Sequence, residues 1–157
     1  MNFLKSHFNL KFRREEMLHN CDKNTPEFSL EGKIKLCKVV DVYDGDTCKV
    51  VFNLGNKVNK WSIRMAGYDS PEMRPSKKNE NRDEEIKAAQ EARDYLKGLV
   101  QKDNQLVYIK CGEFDKYGRL LGTLYLHKND AKSVNQMMID NNHGYAYNGG
   151  TRREFSS

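Results

Sequence analysis

Between Ile34 and Leu126 the chain alternates apolar and polar residues in five short runs, interrupted once by a long run at helical spacing. Alternation with period two commits a segment to a half-buried strand, and spacings of three and four commit it to an amphipathic helix. Strand character is read over residues 34–43, 46–54, a third run containing Trp61, Ile63 and Met65, then 105–111 and 119–126. Asp44-Gly45 and Gly55-Asn56 mark turns between the first three runs. In the second run Cys48, Val50 and Phe52 share a face, and Asp46 has the same parity, at that face's rim. In the third run Arg64 points away from Trp61, Ile63 and Met65.

Ile86, Ala89, Ala92, Leu96 and Leu99 form the apolar stripe of a helix over 82–101, with Asn81 and Glu84 spaced as a capping box. Ser133 and Gln136 open a second helix, with Val134, Met137 and Met138 as its stripe and Gly144 as its stop. Residues 73–81 are polar and read as a mobile loop. Three strands, a helix, two strands and a helix describe a mainly β protein with α. The predicted architecture is a five-stranded barrel of the oligonucleotide-binding (OB-fold) type with two flanking helices.

The chain divides into an extension and linker at 1–32, a domain at 33–150 and a tail at 151–157. In the extension, Phe3, Leu4, Phe8, Leu10 and Phe12 suit either a short amphipathic helix or packing on the domain. No continuous apolar leader and no run of membrane-spanning length is present, so the expectation is a soluble, intracellular monomer. Cys21, Cys37, Cys48 and Cys111 lack zinc-ligand spacing; Cys37, Cys48 and Cys111 read as reduced, buried thiols, with a disulfide framework as the lesser alternative. The 27 basic against 22 acidic side chains suit a polyanionic partner, and equally a soluble protein of slightly basic pI.

Four charged segments carry the candidate chemistry: Asp44-Gly45-Asp46-Thr47, Arg64, Asp69-Ser70-Pro71-Glu72 and Asp115-Lys116-Tyr117-Gly118-Arg119. Asp46 and Asp69, with the Ser70 carbonyl, offer hard oxygen ligands to a cation, and Asp44 would support them from behind. Glu72, three residues past Asp69, would take a proton from water. Arg64 and Arg119 offer planar forks that match phosphate oxygens. Taken singly, each segment is a turn, a salt-bridged loop glutamate or an exposed strand arginine.

Taken together and in order, Tyr43–Thr47, Ile63–Glu72, Phe114–Arg119 and Asn135 resemble the staphylococcal nuclease (thermonuclease) family over about Ile34 to Tyr147. The resemblance implies a calcium-dependent nuclease that cleaves DNA and RNA to 3′-phosphate products. It implies Asp46, Asp69 and Ser70 as metal ligands, Glu72 as general base, and Arg64 and Arg119 as the phosphate clamp. Lys116 and Tyr117 fall where the family contacts a terminal phosphate. Tyr145 or Tyr147 would pack on a base, Tyr147 being the assigned one, although both read equally as core tyrosines. Single-stranded substrate is expected to enter best. The alternative from the same resemblance is an inactive nucleic-acid or protein binding module; such domains usually lack part of the carboxylate and arginine set, which this chain keeps.

Overall fold

In the computed structural model, which describes residues 12–151, 153 and 155, the five strand-patterned runs become β1 (Ile34–Val42), β2 (Thr47–Leu54), β3 (Lys57–Met65), β5 (Val107–Phe114) and β6 (Leu120–Tyr125). They close into a barrel in the order β1-β2-β3-β6-β5. β1, β2 and β3 form an antiparallel meander, and β5 returns antiparallel to β1. The parallel pair β3–β6 closes the barrel, with Ile63 opposite Leu120 and Arg64 opposite Leu121. A parallel neighbour needs a crossover, and α2 (Arg82–Val100) supplies it. The fold class expected from the pattern, an α+β barrel of the oligonucleotide-binding type, is the one observed.

The core follows the predicted parity. Cys48, Val50 and Phe52 of β2 and Ile63 and Met65 of β3 point inward, with Val39 of β1, Ile109 of β5 and Leu124 of β6. Gly55 opens the β2–β3 hairpin at φ 60, a left-handed conformation that glycine adopts at little cost. The buried thiols Cys37, Cys48 and Cys111 and the exposed Cys21 are all free, and burial, with Cys111 nearby, pushes Cys37 up to about 12.

Three local expectations are corrected. The stripe of α2 is Glu85, Ala89, Ala92, Leu96 and Val100, so Ile86 and Leu99 sit beside the buried face rather than on it. Asn81 does not cap: its backbone is not extended and its side chain makes no capping bond. Helix α3 (Val134–Asp140) is capped by Ser133 as expected, but it ends on Asn142 at φ 59 rather than at Gly144. Gly144 serves a packing role instead. A side chain there would lie 2.6 Å from the Tyr68 ring and 2.8 Å from the Asp69 carbonyl oxygen.

Upstream of the barrel, residues 12–19 are helical (α1), with Phe12, Met17 and Leu18 exposed. Phe3, Leu4, Phe8 and Leu10 lie outside the described residues. Leu30 is buried in the core, and the Gly32 amide donates to the Cys111 carbonyl. Among the described residues, no helix is long and apolar enough to cross a membrane.

Candidate functional site

The site grows from the tight turn between β1 and β2. Asp44 Oδ1 accepts the Asp46 amide at 3.0 Å, which fixes the second carboxylate at the start of β2. Gly45 is required because an added Cβ would meet Ala92 and Ser70 Cβ atoms at 2.8 Å. Helix α2 and the Ser70 loop therefore close over the turn. Tyr68 donates its hydroxyl to the Gly45 carbonyl and locks the same turn from below.

Register then brings the other charges in. Thr47 lies opposite Arg64 across β2–β3. Arg64 Nη1 is 3.2 Å from Asp46 Oδ1, and Nη2 donates to Asp69 Oδ1 at 2.6 Å. Nη1 also donates to the Met65 and Tyr68 carbonyls, so the guanidinium is held in one plane. The pair β4 (Tyr68–Asp69) and β7 (Tyr145–Ala146) places Tyr145 opposite Asp69. Tyr145 donates its hydroxyl to Asp69 Oδ2 at 2.9 Å. Asp46 Oδ2 accepts both the amide and the hydroxyl of Ser70, each at 2.9 Å. Asp46, Asp69, Ser70 and Arg64 thus form one hydrogen-bonded cluster, with Asp46 4% and Asp69 1% exposed.

Electrostatics bear on what the cluster can hold. Burial, then the Asp44 charge, push the Asp46 carboxyl up to about 6, against the pull of Arg64 and the Ser70 amide. Among the charges acting on Asp46, the Asp44 and Asp69 carboxylates are opposed by Arg64 alone, so a further positive charge there would be favourable. The donors are carboxylate, hydroxyl and carbonyl oxygens, the chemistry that suits a hard divalent cation. Among the described residues no three His, Cys, Asp or Glu side chains are arranged to hold a metal ion. A cation held here would draw its remaining ligands from backbone carbonyls and water.

The second arginine arrives on the β5–β6 hairpin. Asp115 Oδ1 accepts the amides of Tyr117 and Arg119 at 2.9 Å, and Oδ2 accepts Arg119 Nε at 2.7 Å. Burial raises the Asp115 carboxyl, but the bonds from Arg119 and the Tyr117 amide outweigh it and hold it below the usual range. Lys116 and Arg119 both lie over the Tyr117 ring, at 5.1 and 5.5 Å from its centroid. Arg64, Lys116, Tyr117, Arg119 and Tyr147 line one open cavity of about 530 Å³. Of the two tyrosines, Tyr147 lines that cavity, and Tyr145 binds Asp69.

Glu72 is half-buried and lines a second cavity, with Lys78, Asn79, Glu85, Arg153 and Phe155 among its walls. Glu72 follows Asp69 by three residues along the chain, but its cavity shares no lining residue with the one that Arg64 and Arg119 line. The loop read as mobile is tied at both ends. Glu85 Oε1 accepts the Glu72 amide at 3.0 Å, and Oε2 accepts Asn79 Nδ2 at 2.6 Å. Sequence reading missed Glu85 and the Tyr145–Asp69 bond. The signal for Glu85 was available: it precedes Ala89 by four, on the stripe that faces the core.

Comparison with curated proteins gives no match. The stretch 62–154 matches the family model described as staphylococcal nuclease homologue. It contains Arg64, Asp69, Ser70, Glu72, Lys116, Tyr117, Arg119 and Tyr147, whereas Asp44 and Asp46 precede it and join the site through the bonds above. Such domains are generally of nuclease or nucleic-acid-binding type. The match spans more than half of the chain and falls on a five-stranded barrel whose arginines share one cleft, and the chain belongs to the staphylococcal nuclease homologue family.

Proposed function

We propose that this protein is a calcium-dependent nuclease that hydrolyses DNA and RNA to 3′-phosphate products. The observation that supports it best is the position of Arg64. It contacts both buried carboxylates and also faces the cleft that Arg119 lines. A phosphodiester placed in that cleft meets two guanidinium groups beside an oxygen-rich, under-neutralised pocket.

Each residue then has a task. Arg64 and Arg119 hold the phosphate oxygens and stabilise the negative charge that grows on them as the bond order changes. Asp115 fixes the Arg119 fork through Nε, which leaves its Nη edge for the substrate. Lys116 and Tyr117 contact the terminal phosphate, and Tyr147 offers its ring to a base. Asp46, Asp69 and the Ser70 carbonyl would hold Ca²⁺, with Asp44 fixing the Asp46 backbone. Bound there, Ca²⁺ would supply a Lewis acid that withdraws charge from the phosphate oxygen. Glu72 accepts a proton from the attacking water as its oxygen bonds to phosphorus. The P–O5′ bond breaks, the 5′ oxygen takes a proton from solvent water and leaves as the alcohol, and Glu72 returns its proton to solvent.

The clamp acts on the backbone, so sequence preference is weak. Single strands should enter more readily than duplex, and exposed Lys77 and Lys78 would attract them. The working form is a monomer. The test is cleavage of single-stranded DNA and RNA with calcium or with excess chelator, and analysis of product ends. Calcium-dependent cleavage leaving 3′-phosphates is expected, and its loss in Glu72→Gln. Undiminished cleavage in chelator would overturn the reading. Tight nucleotide binding without cleavage would favour a binding module.

A further inference from the structure

We propose that Glu85 is the positioning residue of Glu72: its carboxylate fixes the loop that carries the general base. The proposal rests on the reading of Glu72 given above. Glu85 is 7% exposed and sits in the first turn of α2, on the buried stripe. Asp83 and Glu84 occupy the same turn, are exposed, and already complement the positive end of the helix. A buried third acid adds little to that purpose and carries a desolvation cost. An apolar side chain at its position would serve packing at least as well.

The hydrogen-bond logic explains the carboxylate. Both neighbours are donors: the Glu72 amide on Oε1 and Asn79 Nδ2 on Oε2. Asn79 cannot be turned around, because its Oδ1 accepts the Asn81 amide at 2.9 Å. Two donors need two acceptor oxygens, and only an ionised carboxylate offers both. The two bonds staple the loop at residues 72 and 79 to a rigid helix. Without them the Glu72 carboxylate would sample positions away from the reacting water, and a misplacement of roughly 1 Å is enough to cost about a hundredfold in rate.

The test uses the polarity of this network. Glu85→Gln keeps the shape but sets an NH₂ group against a donor. The expected result is a kcat lower by about 10- to 100-fold on single-stranded DNA with saturating calcium, with KM little changed. Amide hydrogen exchange over residues 72–79 should speed up by about tenfold. The double variant Asn79→Asp/Glu85→Gln reverses donor and acceptor and rebuilds both bonds, so kcat and exchange protection should return together. Glu84→Gln, which removes an exposed charge from the same turn, should leave both unchanged. Unaltered exchange in Glu85→Gln, no rescue by the double variant, or an equal loss in Glu84→Gln would each overturn the proposal. Activity surviving Glu72→Gln would overturn the proposed function instead, and exchange would still decide whether Glu85 fixes the loop.

Discussion

The two halves of the site are built differently. Asp46, Arg64 and Asp69 are fixed by the barrel: strand register, a sterically closed turn and several hydrogen bonds each. Glu72 is carried on a loop whose backbone is tied to one buried helix residue. In the first half, the charges that would meet metal and phosphate also hold the fold together. In the second, the group that would move a proton sits on a half-buried loop residue outside the core cluster. Substitutions should therefore cost stability and activity together in the barrel half, and activity alone in the loop half.

The sharpest separation is Glu72→Gln. The expected loss in kcat is about 10²- to 10⁴-fold, with the thermal midpoint essentially unmoved. A drop in midpoint as large as that from a barrel variant would erase the distinction. Next is Arg64→Ala, which strands two buried carboxylates without their cation. The expected loss of stability is about 3–5 kcal/mol, read by urea unfolding, with added calcium restoring part of it. Equal stability with and without Arg64 would mean that the cluster does not hold the barrel. Gly45→Ala is smaller, about 1–3 kcal/mol, because the new methyl must push α2 and Ser70 away from the turn.

The smallest effect tests the hairpin. Asp115 titrates below its usual 3.8, so its contribution is present above that value and is lost as pH falls through the lower folded one. The difference in midpoint between the parent and Asp115→Asn should be constant above pH 3.8 and shrink below it. A difference that grows on acidification would contradict the assignment.

Much of this is legible in the sequence alone. The parity of Cys48, Val50 and Phe52 carried Asp46 to the rim of the buried face, and the order of the charged segments carried the family. Failures came where an end or a partner was set at a distance. Asn81 has the right spacing for a cap but the wrong backbone, since Glu85 and Asn79 organise that turn instead. Gly144 reads as a helix stop, yet it is small because Tyr68 and the Asp69 carbonyl press against it.

The sequence by itself determined which segments are strands or helices, which face of each is apolar, and which residue types are available for chemistry. Those properties depend on neighbours a few positions away along the backbone. Only the tertiary structure decided that β3 lies beside β6, that Tyr145 reaches Asp69, and that Glu85 is buried beneath Glu72. Such pairings join residues far apart in the chain or across a loop, and periodicity carries no information about them. The burial of a charge is decided by whichever partner the fold places beside it.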